Sequence, residues 1–180
     1  EIIKTLSRES ILDYRKKHYV AKATTIIVAG AFNEKQIIKD LEKVFINVPS
    51  AKKFSKIKTK ESQKKPEVLV HYKQSDQTHL IIGCRAFNVF DKRRFALEIL
   101  NNIIGGGMSS RLFQRIREQL GAAYYVRSDG NLYSDHGYWA AAAGVEHSKL
   151  NIVIKAILEE MKKLVDEPIA DKELSRAKDN

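Results

Sequence analysis

Apolar residues recur along the chain with two periods, and the switches between them mark out its elements. "LSRESILDYRKKHY" (6–19) predicts a helix capped by Ser7, its lysines near the end suiting the helix dipole. The β-branched run "ATTIIVAG" (23–30) predicts a strand closed by Gly30. Asn33 can cap a second helix, in which Ile37, Ile38, Leu41, Val44 and Phe45 recur at helical spacing. Farther on, "EVLVHY" (67–72) and "THLIIGCRAF" (78–87) predict two strands around the polar "KQSDQ". Asp91 is the expected cap of a helix with the stripe Phe95, Ile99, Leu100, Ile103 and Ile104. Gly105, Gly106 and Gly107 end that helix and are expected to supply a left-handed C-terminal conformation. Ser109 or Ser110 can cap the next helix, "SSRLFQRIREQL". "AAYYVRSDGNLY" and "HGYWAAAAGV" predict a hairpin around Ser134 and Asp135. A long helix follows with Leu150, Val153, Ile154, Ile157, Leu158, Met161 and Leu164 on one face, and another begins near Ala170.

Paired strands alternating with paired helices predict an α+β fold of two layers, with helices on one face of a largely antiparallel sheet. Three segments are expected: a helix–strand–helix piece over 1–48 leading in from a preceding domain, a basic linker over 49–66, and the main domain over 67–180. The chain lacks an initial Met and stops inside a helical pattern, so it reads as an excised piece of a longer protein.

Composition changes this picture little. The net charge of +10 raises nucleic acid as a partner. However, seven lysines against one glutamate in Pro49–Pro66 carry six of those ten charges. A proline-bracketed, aperiodic lysine run is expected to be a solvated linker, and RNA-binding sheet motifs are absent. No apolar run reaches the length of a membrane span, and no signal peptide opens the chain. Cys84, the single cysteine, lies in an apolar strand and is expected to be a buried, inert thiol.

The chemical candidates narrow quickly. "GGGMSSR" lies between two helices and lacks the P-loop lysine, so it reads as a tight helix–helix turn. His18, His71, His79, His136 and His147 contain no metal-binding spacing, and no zinc site is expected in the chain. The helix "SSRLFQRIREQL" is more informative. With Leu112, Phe113, Ile116 and Leu120 buried, Arg117 falls at one edge of the stripe, Arg115 beyond the other, and Arg111 nearly opposite. Tyr124 and Tyr125 follow on opposite faces of the next strand. Arginine and tyrosine at such a corner can donate hydrogen bonds to a peptide carbonyl. Surface salt bridging by the arginines and core packing by the tyrosines fit the same spacing.

The run "NNIIGGGMSSRLFQRIREQLGAAYYV", with "SDHGYWAAAAGV" after it, resembles the C-terminal-domain signature of the insulinase-like zinc peptidases, the pitrilysin and mitochondrial processing peptidase group. "LSRESILDYRKKHYVAKATTIIVAGAF" and "QSDQTHLIIG" resemble the elements that lead into that domain. The resemblance implies a LuxS/processing-peptidase-like domain, one of several α+β domains closing like a clamshell on a peptide. It implies that zinc is held by an N-terminal domain absent from this chain, with no cofactor or catalytic residue here. It further implies that Tyr124 and one arginine touch the peptide. Arg117 matches the family's "RE" pair, and Arg115 matches by distance to the following glycine.

The function implied is that of a substrate-enclosing, non-zinc domain of a zinc metalloendopeptidase, inactive alone. The implied partners are a peptide substrate and an N-terminal catalytic domain or partner subunit. The full-length protein is expected to be a dimer engaging neither nucleic acid nor membrane. A non-catalytic partner subunit of the same fold is the alternative, and a basic nucleic-acid-binding domain the remote one. A bacterial cytoplasmic parent is expected, ahead of the mitochondrial matrix or the periplasm.

Overall fold

The computed structural model describes residues 2–179, which form two compact units meeting in sequence at Ile57 and Lys58. The first unit holds α1 (Ile2–Thr5), α2 (Arg8–His18) and α3 (Glu34–Phe45). Both expected caps are present. Ser7 accepts from the Ser10 amide at 3.2 Å, and Asn33 accepts from the Gln36 amide at 3.1 Å. The strand expected over 23–30 does not form. A strand needs a ladder partner, and this stretch has none among the described residues. Val20 is the one fully buried apolar side chain of this unit, whereas Ile26, Ile27, Val28, Val44 and Phe45 are exposed.

The second unit is built on β1 (Thr78–Ala86), β2 (Ala123–Leu132) and β3 (Gly137–Val145). The sheet is antiparallel with order β1-β3-β2, and the predicted hairpin closes through a bond from the Tyr133 amide to the His136 carbonyl. The strand expected over 67–72 is also missing, for the same lack of a ladder partner among the described residues; Val68, Leu69, Val70 and Tyr72 lie exposed.

Alternation along the strands sends Val126, Trp139, Ala141, Ala143 and Val145 to one face. Against that face pack α4 (Arg94–Gly105), α5 (Leu150–Asp166) and the helical segment 111–119. Ile104, Leu112, Ile116, Val153 and Ile157 fill the interface, each large side chain contributing about 1.5–3 kcal/mol by burial. The opposite face exposes Ile81, Tyr138 and Arg127. Two layers with helices on one side are the predicted fold. A last helix, α6 (Asp171–Asp179), lies beside α4, and Arg111 ties it down through a two-bond ion pair to Glu173 at 2.8 and 2.7 Å.

Several local expectations need correction. Phe95 and Leu158 are exposed; Leu97 and Ala156 pack inward instead, so each stripe is rotated from the sequence reading. Asp91 does not cap α4, which begins at Arg94. Its carboxylate accepts from the side chain and amide of Arg93, which pulls its pKa down to about 2. The Ser110 hydroxyl donates to the Gly107 carbonyl and caps nothing. Cys84 is exposed, because β1 is an edge strand; partial desolvation still pushes its thiol pKa up, against reactivity.

The glycine cluster works by close approach and not by left-handed backbone. Gly106 has φ −78°, and among the described residues positive φ occurs at Gly30 and Gly121. A Cβ on Gly105 would sit 2.6 Å from the Ser128 hydroxyl and collide with the Ser128 backbone amide. That contact brings α4 onto β2, where Asn101 Oδ1 accepts from Ser128 Oγ at 2.6 Å and from Trp139 Nε1 at 3.1 Å.

The Arg111–Glu173 pair makes stability pH-dependent. Its hydrogen bond from Arg111 lowers the Glu173 pKa below 4.5, so the folded state holds the charged form. The stabilisation is therefore fully present above the unfolded carboxyl pKa and is lost as pH falls through the folded one. Thermal melts of wild type and Glu173→Gln are expected to differ by roughly 1–2 kcal/mol at pH 7 and to converge at low pH. A constant difference down to pH 2 contradicts this.

Candidate functional site

Two departures from regular backbone meet at one corner of the second unit. The helix predicted over 109–120 begins with an α-helical turn at Arg111 and then widens into a π-helix over Phe113–Gln119. The Leu120 amide bonds the Arg115 carbonyl, and the Ala122 amide bonds the Ile116 carbonyl. Gly121, at φ 53°, takes the left-handed conformation that was expected at Gly105–Gly107 and turns the chain into β2. There a bulge intervenes: Ala123 faces Val145, Tyr125 faces Gly144, and Tyr124 is the inserted residue. π-turns and bulges both cluster at functional sites because they re-aim side chains.

These distortions sort the candidate residues. The Arg117 guanidinium lies 5.3 Å from the Phe113 ring centroid, a cation–π contact one helical step back. Its Nη1 donates to the Tyr124 carbonyl at 2.9 Å, so helix and bulge are joined by that one bond. The remaining donors of this exposed guanidinium are open to a ligand. Tyr124 is 58% exposed, and its hydroxyl makes no hydrogen bond among the described residues. Tyr125 is different. Its ring lies against Gly144 and its hydroxyl is 3.0 Å from His79 Nδ1. Beside Tyr124 opens a small cleft of about 240 Å³ lined by Gly121, Ala123, Glu146 and Lys149. Hydrogen bonding from Ser148 and the nearby Lys149 ammonium lower the Glu146 pKa.

Arg115 lies elsewhere. It donates to Gln119 Oε1 at 3.1 Å and lines a polar groove with Glu160, Lys163 and Glu167 of the α5 side. The structure thus joins Arg117 with Tyr124 and separates Arg115 from both. Sequence reasoning missed the π-helix, the bulge and Phe113. The spacing of four between Phe113 and Arg117 was the available signal for the last.

The metal chemistry has no home among these residues. Zinc needs three protein ligands in one place, and no three His, Cys, Asp or Glu side chains gather among the described residues. His79, His136 and His147 are instead engaged with Tyr125, Asp135 and Thr78. The described residues offer no ligand set that fits a zinc ion. Among the described residues no helix is long and apolar enough to cross a membrane.

The chain matches the peptidase M16 inactive domain over residues 5–180. It is 32% identical over 179 residues to the uncharacterized zinc protease YmxG of Bacillus subtilis, covering 99% of this chain and 43% of that protein. It is 35% identical over 179 residues to an uncharacterized zinc protease of Rickettsia felis, covering 97% and 42%. The fold superposes on the peptidase M16 inactive domain of Pseudomonas fluorescens with a TM-score of 0.80 at 21% identity, covering 98% of this chain and 43% of that one. A Helicobacter pylori protease gives 0.78, covering 98% and 44%. The chain spans about two fifths of the length of the curated relatives it matches. The resemblance carried by residues 101–126 is borne out: this chain belongs to the peptidase M16 family, as its inactive domain.

Proposed function

We propose that this domain encloses and holds a peptide that is hydrolysed by zinc bound in a separate catalytic domain, and that Arg117 and Tyr124 are its contacts to that peptide. The observation that carries this reading is the corner itself. A guanidinium with spare donors is bonded to the backbone of the residue that carries an uncommitted phenol, where a π-helix meets a bulge. Donors held in place before the substrate arrives need no reorganisation to bind a peptide carbonyl. The exposed Ile81, Tyr138 and Arg127 of the opposite sheet face support the enclosing role. The relatives' description as zinc proteases supplies the reaction class, and this chain's residues supply no step of metal chemistry.

The catalytic domain also has a docking place in this reading. Ile26, Ile27 and Val28 form an exposed β-prone run with no ladder partner among the described residues, α3 adds the exposed Ile38, Val44 and Phe45, and these residues pack against that domain. The test is reconstitution from two separately expressed pieces, this chain and the remainder of the whole protein. Neither alone is expected to hydrolyse peptide, and the mixture is. Ile27→Asp is expected to lower the recovered activity by at least tenfold, since a charge in a buried strand costs more than about 1.4 kcal/mol. Hydrolysis by this chain alone, or full recovery with Ile27→Asp, contradicts the reading.

A further inference from the structure

We infer that the distal half of the lysine-rich segment 49–66 is a strap fastened to the second unit, confining any pivot between the two units to the stretch between Phe54 and Thr59. The composition of that segment alone describes a free tether. Its contacts describe something else. The Thr59 amide donates to Asp135 Oδ2 at 3.0 Å, and the Thr59 hydroxyl lies 3.2 Å from His136 Nδ1. His136 is itself held by Asp135 Oδ1 at 3.0 Å and by stacking on Tyr133 at 4.7 Å, so the tip of the β2–β3 hairpin forms a clasp. A second fastening follows four residues on. Arg85 of β1 donates to the Gln63 carbonyl at 2.6 Å and lies 3.5 Å from the Glu61 carboxylate.

The proximal half belongs to the other unit. The Pro49 carbonyl accepts from the Ala21 amide at 2.9 Å, and the Phe54 ring packs at a tilt against His18, 4.9 Å between centroids. Both fastenings of the strap use a charged partner, the Asp135 carboxylate and the Arg85 guanidinium, and charge-assisted bonds outlast neutral ones at a surface.

The mechanical consequence is one of reach. A flexible linker of eighteen residues spans about 20–25 Å on average, whereas one of four spans about 10–12 Å. Strapped, the two units are joined by a short hinge. Unstrapped, they are joined by a loose chain. This device does not depend on the peptidase reading.

Site-directed spin labelling in the whole protein tests it, with Cys84 and other native cysteines replaced by serine. A nitroxide at Ser62→Cys is expected to rotate at least about threefold more slowly than one at Ala51→Cys, a residue that itself makes no hydrogen bond or ion pair among the described residues. In the Arg85→Ala/Asp135→Ala double variant the label at 62 is expected to become as mobile as that at 51, whose own spectrum stays unchanged. Equal mobility at 51 and 62 in the otherwise unaltered protein overturns the inference, whether or not the double variant folds. So does a slow label at 62 that the double variant leaves unmoved.

Discussion

Replacing Arg117 by alanine in the whole protein is expected to lower peptide kcat/KM by about 10²–10³-fold while leaving the bound zinc unchanged. Two losses combine. The guanidinium no longer donates to the peptide, and the Tyr124 carbonyl loses the bond that fixes the bulge. Arg117→Lys keeps the charge but not the planar fork that reaches a carbonyl and Phe113 together, so it is expected to recover little. Tyr124→Phe removes only a hydroxyl that has no partner among the described residues, so the fold is expected to be unaffected. Its turnover is expected to fall by roughly tenfold, the worth of one hydrogen bond to a developing charge. Arg115→Ala serves as the internal control. Its guanidinium faces the α5 groove, so turnover is expected to stay within about twofold of wild type. Normal turnover for both Arg117→Ala and Tyr124→Phe, or loss of zinc in either, contradicts the assignment.

Gly105→Ala is expected to destabilise the domain by roughly 2–4 kcal/mol, and Gly107→Ala by no more than about 0.5 kcal/mol. The two substitutions are chemically identical and two residues apart, which makes the contrast informative. At Gly105 the new methyl meets the Ser128 backbone, which is paired in β2 and cannot withdraw without disturbing the Asn101 network. At Gly107 nothing lies within 4 Å and φ is not positive, so neither space nor backbone objects. Urea unfolding of the two variants separates close packing from backbone freedom as the reason for the glycines. Equal destabilisation returns the explanation to the backbone.

What could be read from the chain follows from which interactions are local. The hairpin around Ser134 and Asp135 and the caps at Ser7 and Asn33 depend on neighbours a few positions apart, and these matched the structure. The strands expected over 23–30 and 67–72 have the right composition, but a ladder depends on a partner that composition does not specify. The π-helix was hidden because Leu112, Ile116 and Leu120 keep a spacing that an α-helix and a π-helix both satisfy. The reason for Gly105 was hidden too, since its crowding partner, Ser128, lies in another element. At the site, the pattern set Arg117 at the edge of the buried stripe and kept Arg115 open as the alternative. Only the three-dimensional path, through Phe113 and the Tyr124 carbonyl, separates them.

The central claim is that the corner at Arg117 and Tyr124 touches the peptide. Its most direct test places a photoreactive benzophenone amino acid at position 124 of the whole, zinc-loaded protein, illuminated with a bound extended peptide. The account predicts a covalent adduct to that peptide, abolished by excess unlabelled peptide and absent when the same probe sits at Phe90. Bound peptide that cross-links equally from Phe90, or not at all from position 124, contradicts it.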